Sequence, residues 1–289
     1  MSGERLIALA LQEPVVGDGA MGTMLQGHGM TAGECPELWN VEHPDAVRAV
    51  HEAYIKAGSR MIGTNTFGGN RAKLNAYGLA DRVAELNRAG ATLAREAAGP
   101  HNFVAASIGP TGKFLEPLGD MKFDEAADIF AEQARAQAEG GADVILMETF
   151  SDLGEIKAAL MGALSTGLPC ICSMAFDTGG RTMMGVDPVT AAVGLMGAGA
   201  SGVGANCGLG PYETLDIIRQ MRDVVPGIII AQPNAGLPQV VGGVTTYNST
   251  PEEMAFYAAK FAEMGVNIIG GCCGTTPDHI RAIAAAIRK

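Results

Sequence analysis

Three of the six cysteines stand in settings that suit metal chemistry. "GANCG" carries Cys207 at the end of one apolar run, and "GGCCG" carries Cys272 and Cys273 at the end of another. Neighbours on a regular strand face opposite ways, so Cys272 and Cys273 can aim at one object only where the backbone leaves the strand. Gly270, Gly271 and Gly274 ease that departure, because glycine tolerates positive φ. Three thiolates plus one exchangeable ligand make an open tetrahedral zinc site. Their negative charge outweighs the dication, so such a zinc is a poor Lewis acid towards carbonyls. It is suited instead to holding a substrate thiol as a reactive thiolate at neutral pH. The matching reaction is attack of that sulfur on an electrophilic carbon, with methyl transfer the simplest case. The competing readings are buried cysteines acting as small hydrophobes and a vicinal disulfide in a thiol redox protein, which a reducing compartment disfavours. Cys170 and Cys172, in "PCICSMAF", read as core residues of a strand, and Cys35, in "TAGECPELWN", as an ordinary or rim residue.

Positioning these thiols requires a regular scaffold, and the chain offers one. Eight short apolar runs end in small or polar residues: 15–19, 60–67, 102–109, 143–150, 169–176, 202–208, 227–234 and 267–274. Segments of helical periodicity lie between them, "HPDAVRAVHEAYIKAG" and "DEAADIFAEQARAQAEGG" being the clearest. Start signals recur: Thr250, Pro251 and Glu253 form a capping box, and Asp187–Pro188 and Thr276–Pro277 open further helices. Eight such units predict a single (β/α)8 TIM barrel over 1–289, with an open doubly wound sheet as the alternative. Barrel active sites sit at the C-terminal ends of the strands. Those ends are Asp18, Asn65, Glu148, Asn206, Cys207, Asn234, Cys272 and Cys273, so residues from the whole chain would meet at one mouth. Two strand-end carboxylates, Asp18 and Glu148, beside three thiols read as functional, with Asn65 an orienting group or turn former.

The remaining signals mostly exclude. A net charge of −11 argues against a broad basic surface for nucleic acid or anionic lipid. No run is long and apolar enough to span a membrane, and "MSGERLIALALQEP" does not read as a signal peptide, so a reducing cytoplasm is expected. "GDGAMG" matches a dinucleotide fingerprint in letters only, because the next strand ends in Asn65 rather than an acid. Its glycines suit a loop whose N–H groups approach a small carboxylate. The histidines His28, His43, His51, His101 and His279 show no metal spacing and read as surface or cap residues. Most of the 15 methionines read as barrel packing.

Taken together, "GDGAMGTML", "TNTFGGN", "GANCGLGP", "PNAGLP" and "GGCCGTTPDHI" resemble the homocysteine S-methyltransferase family, from the first strand to the last helix. The resemblance implies that Cys207, Cys272 and Cys273 bind zinc, with the homocysteine sulfur as fourth ligand. It implies that Asp18 and Glu148 hold the cationic amino group, and that backbone amides from Gly19 through Gly22 to Thr23 take the carboxylate. Asn65 and Asn206 are expected beside the substrate. "PNAGLP" is similar to the variant in cobalamin-dependent methionine synthases, where the asparagine at the Asn234 position occupies zinc when homocysteine is absent. The expected function is zinc-dependent methylation of L-homocysteine to methionine. A methylcorrinoid carried by a separate cobalamin protein is the expected donor, since nothing follows Lys289. The alternatives are betaine or S-methylmethionine as donor, another small thiol as acceptor, or a subunit that docks substrate for a corrinoid complex. The loops after the seventh and eighth strands are expected to move as the fourth zinc ligand exchanges.

Overall fold

The computed structural model describes residues 2–177, 179–241 and 244–287. Gly242 and Gly243, in the loop after the seventh strand that is expected to move, lie outside the described residues. In chain order the first half runs α1 (Ser2–Ala10), β1 (Val15–Val16), α2 (Gly22–Gly27), α3 (Trp39–Glu42), α4 (Pro44–Ala57), β2 (Met61–Gly63), α5 (Arg71–Asn75), α6 (Val83–Ala98), β3 (Phe103–Ile108) and α7 (Phe123–Glu139). The second half runs β4 (Val144–Phe150), α8 (Leu153–Leu164), β5 (Cys170–Met174), α9 (Pro188–Gly197), β6 (Gly202–Asn206), α10 (Pro211–Arg222), β7 (Ile228–Gln232), β8 (Gln239–Val241), β9 (Val244–Thr246), α11 (Pro251–Glu263), β10 (Ile268–Ile269) and α12 (Pro277–Ile287).

One sheet of eight strands has the order β1-β10-β7-β6-β5-β4-β3-β2, every pair parallel, while β8 and β9 form a separate antiparallel hairpin. The expected (β/α)8 barrel is the observed fold. Its seam falls between β1 and β2. There Arg60 N–H donates to Val16 O (2.8 Å), Ser59 Oγ donates to Gly17 O (2.9 Å), and Gly63 N–H donates to the Asp18 carboxylate (2.7 Å). A residue at the mouth therefore helps to close the barrel.

Strand alternation sorts the core into two shells. Met61, Phe103, Ala105, Val144, Leu146, Ile171, Ile228, Ile230 and Ile268 point inward and pack together. Their neighbours Ile62, Val104, Ile145, Val203 and Ile229 face the surrounding helices. The N-terminal segment has a role that its sequence did not announce. Leu6 and Ala10 of α1 join the inward shell, and Leu6 is fully buried, a contribution of about 2 kcal/mol. Asn267 Nδ2 ties this helix down through Ala10 O (2.8 Å).

Local signals work as chemistry demands. α4 ends at Gly58, whose φ of 116° is left-handed. Asp187 caps α9 through Thr190 N–H, and Thr250 caps α11 through Glu253 N–H. One expectation fails: His51 is neither a surface nor a cap residue. It lies on the buried stripe of α4 with Val47, Val50 and Tyr54, and neither ring nitrogen has a hydrogen-bond partner among the described residues. Burial without a partner holds its pKa down to about 4, so it is a neutral core residue.

Glycine is required inside β6 for space rather than for φ. A Cβ on Gly204 would overlap the carbonyl oxygen of Ile230 on β7. Both atoms belong to paired backbones, so neither can move aside. Gly204→Ala is expected to cost about 3 kcal/mol, read as a lower urea midpoint with an unchanged slope.

Candidate active site

The C-terminal ends of the strands open into a cavity of about 490 Å³. Asp18, Gly19, Gly22, Thr23, Asn65, Glu148, Cys207, Cys272 and Cys273 all line it. The three cysteines are free, and their sulfurs lie within 4.8 Å of one another. Cys207 Sγ and Cys273 Sγ are 3.7 Å apart. Zn–S bonds of about 2.3 Å in a tetrahedron require sulfurs about 3.8 Å apart, which is the spacing of Cys207 and Cys273, and Cys272 lies within 4.8 Å of both, so the donor set suits a zinc ion.

Two backbone devices bring these sulfurs together. Cys207 follows β6 with φ 58°, a left-handed conformation that a side chain adopts at a cost of about 1 kcal/mol or more. It is held there by its N–H to Gln232 O (3.1 Å) and by Leu209 N–H to its own carbonyl (2.6 Å). The other device is the break after β10. Gly271 N–H donates to Asp18 O (2.9 Å) and Cys272 N–H donates to Pro233 O (2.9 Å), which draws the two adjacent cysteines off the strand line. Thr275 and Tyr54 clasp this loop to the loop after β1. Thr275 Oγ1 donates to Cys272 O (2.6 Å) and accepts from Ala20 N–H (3.1 Å), and the Tyr54 hydroxyl lies 2.8 Å from Ala20 O.

Electrostatics favours a thiolate here. Hydrogen bonding from Cys207, then from Cys272, holds the Cys273 thiol below its ordinary range against the opposing effect of burial. Cys272 is pushed up by its hydrogen bonds to Cys207 and Cys273 and by burial. Cys170 and Cys172 are buried on β5, and burial pushes the Cys170 thiol up to about 12, as expected of core thiols. Cys35 is buried rather than at the rim, and its thiol donates to Glu37 (3.3 Å).

The two carboxylates share one environment. Burial pushes Asp18 up to about 7, opposed by Gly63 N–H and reinforced by the charge of Glu148. Burial also pushes Glu148 up to about 7, opposed by the Ser107 hydroxyl that donates to it and reinforced by Cys273. Among the described residues neither group has an ion-pair partner, and two such carboxyls favour a cationic ligand.

The asparagines serve the frame. Asn206 accepts from Thr149 N–H (2.9 Å) and donates to Thr149 Oγ1 (2.8 Å), clamping a residue whose φ is 66° next to Glu148. Asn65 donates to Pro36 O (2.7 Å) and Asn40 Oδ1 (3.0 Å) at the cavity wall. Asn234 accepts from Cys273 N–H (3.1 Å). Residues not foreseen are Ser107, Thr149, Tyr54, Thr275, Tyr247 and Gln232, whose buried Oε1 has no hydrogen-bond partner among the described residues. Alternation could have found Ser107 and Gln232, since 103, 105, 107 and 228, 230, 232 share the inward faces of β3 and β7. Tyr54 sits on a helix distant in sequence and gave no signal.

The profile of the homocysteine S-methyltransferase family matches residues 15–287. The chain belongs to that family, and is a methyltransferase. It is 34% identical over 303 aligned positions to a methionine synthase of Mycobacterium leprae and 35% identical over 301 to that of Mycobacterium tuberculosis. Each alignment takes in 98% of this chain, which spans about a quarter (25%) of either relative. Among solved structures, the metallated form of the homocysteine methyltransferase MmuM from Escherichia coli superposes with a TM-score of 0.79 at 25% identity, covering 95% of this chain and 96% of that one. Its oxidised form superposes at 0.81 with 23% identity, covering 97% and 99%, and shows the shared fold. Among the described residues no helix of this methyltransferase is long and apolar enough to cross a membrane.

Proposed function

We propose that this methyltransferase transfers a methyl group to the sulfur of L-homocysteine, giving methionine, with zinc held by Cys207, Cys272 and Cys273. The observation that carries the reading is the meeting of three thiols and two carboxylates, Asp18 buried and Glu148 half-buried, in one barrel mouth. Zinc, when bound there, supplies the charge that lets a substrate thiol lose its proton at neutral pH.

The chain's own residues do the rest. Asp18 and Glu148 take the ammonium of the amino acid, and its arrival favours their ionised forms. Ser107 orients the Glu148 carboxylate, and the Asn206–Thr149 clamp holds the backbone beside it. Backbone N–H groups between Gly19 and Thr23 receive the carboxylate. Thr275 and Tyr54 hold that loop against the cysteine loop, so both ends of the substrate are set relative to the sulfurs. The substrate sulfur then attacks the donor methyl carbon in line, forming the S–CH3 bond as the bond from the methyl to its carrier breaks. No general base need act at that carbon. The 1–289 chain works as one barrel in this reading, in a reducing compartment such as the cytoplasm.

A methylcorrinoid is the donor we favour, because the similar mycobacterial proteins are methionine synthases. The test mixes zinc-loaded protein, L-homocysteine and free methylcobalamin and follows the visible spectrum. Loss of the methyl–cobalt bands only when homocysteine is present supports the reading. Without that loss, the corrin donor gives way to betaine, S-methylmethionine or a corrinoid protein supplied intact, each of which is then tried for methionine formation.

A further inference from the structure

Gln232 ends β7 on the inward face of the barrel, and the mechanism above leaves its side chain unused. The residue is 4% exposed and lines the cavity, and its Oε1 has no hydrogen-bond partner among the described residues. Its backbone carbonyl serves a different purpose, accepting from Cys207 N–H (3.1 Å). The strand register shows where the side chain goes. Ile269 stands level with Ala231 on one side and with Val16 on the other, so positions 232, 270 and 17 share the next level at the ends of β7, β10 and β1. Gly270 and Gly17 carry no side chain there, and a Cβ on Gly17 would stand 3.6 Å from Gln232 Nε2. The carboxamide therefore lies across β10 and reaches the residue that precedes Asp18.

Asp18 accepts from Gly63 N–H and Glu148 from the Ser107 hydroxyl, which leaves both carboxyls with lone pairs for a ligand. A primary ammonium has three N–H donors, and two carboxyls take two of them. We propose that Gln232 Oε1 accepts the third N–H of the substrate ammonium, and so makes the site selective for a thiol that carries a free α-amino group. The inference rests on the homocysteine reading above and adds one contact to it. It supplies the partner that the buried oxygen lacks. A neutral amide suits this place, because it completes the set without a third negative charge beside Asp18 and Glu148, which already oppose each other's ionisation.

The test measures dissociation constants by calorimetry on the zinc-loaded full chain, for L-homocysteine and for 4-mercaptobutanoate, the same thiol acid without its amino group. Sulfur and carboxylate contacts are common to both ligands and cancel in the ratio. Wild type is expected to prefer homocysteine. Gln232→Met keeps the length of the side chain and ends in a poor acceptor. It is expected to bind homocysteine about 10-fold more weakly, the worth of one hydrogen bond to a charged group, and 4-mercaptobutanoate as before. A side chain that only fills the space above Gly17 and Gly270 would weaken both ligands alike. Gln232→Glu keeps an acceptor oxygen in place and adds charge, so the preference for homocysteine is expected to widen. A Gln232→Met protein that loses no more affinity for homocysteine than for 4-mercaptobutanoate overturns the inference. So does a Gln232→Glu protein whose preference does not widen, which keeps the test decisive if one variant fails to fold. A wild type that binds the two ligands equally overturns the ammonium-binding role of Asp18 and Glu148, and the inference with it.

Discussion

Cys207→Ser is expected to lose both its zinc and its turnover. A serine hydroxyl does not ionise near neutral pH, so one thiolate of the trio is replaced by a weak neutral ligand. Two sulfurs cannot complete the set that the 3.7 Å spacing of Cys207 and Cys273 defines. Zinc content should fall from about one ion per chain to near zero. Methionine formation should fall by more than about 100-fold, beyond the cost of losing an outer hydrogen-bond partner of a metal ligand. Cys272→Ser and Cys273→Ser should behave alike. Cys172→Ala is the control: that thiol is buried on β5, away from the cavity lining, so zinc should remain while stability drops. Elemental analysis together with a methionine assay decides the matter, and a zinc-free Cys207→Ser protein that still turns over would sink the mechanism.

Glu148→Gln should act in two directions. Homocysteine affinity should fall about 100-fold, because removing one partner of an enclosed, hydrogen-bonded charge pair costs about 2–4 kcal/mol. Without ligand the same change should stabilise the protein at alkaline pH. The fold raises the carboxyl to about 7, from about 4.3 in the unfolded chain. A raised pKa means that the native state binds the proton more tightly. Its stabilising contribution is complete below about pH 4 and is lost as pH rises through about 7. Glutamine has no such dependence. Allowing for the partial opening of this side chain to the cavity, the variant should gain on the order of 1–2 kcal/mol at pH 8 and nothing at pH 4. Urea melts of ligand-free protein at the two pH values measure this, and equal differences at both would show that Glu148 is not raised.

These two effects differ in how far the sequence foretold them. The cysteine trio was legible because three features coincide locally: an apolar run, a glycine break and a thiol at the strand end. The eight strands and the chief helices were legible for a similar reason, since periodicity and capping residues act within one turn or a few residues. Glu148 was legible as a strand-end acid, but its raised pKa was not, because desolvation is a property of everything packed around it.

Several other features escaped the sequence for the same reason. The segment of α1 reads only as a short apolar stretch that is no signal peptide, and only the closed barrel gives Leu6 a floor to plug. The stripe of α4 includes position 51, yet a histidine there looked like a surface residue until helix packing enclosed it. Tyr54 hydrogen-bonds the cysteine loop, and the Tyr247 ring packs against it at Gly274, both from positions remote from it in the chain. What the sequence determined by itself was the eight strands of the barrel, the chief helices between them and the residue types at the strand ends. The tertiary structure decided which of those residues face one another, how far apart their sulfurs lie and which charges are shielded from water. Local conformation depends on neighbours a few positions away, whereas distance and burial depend on the packing of the whole chain.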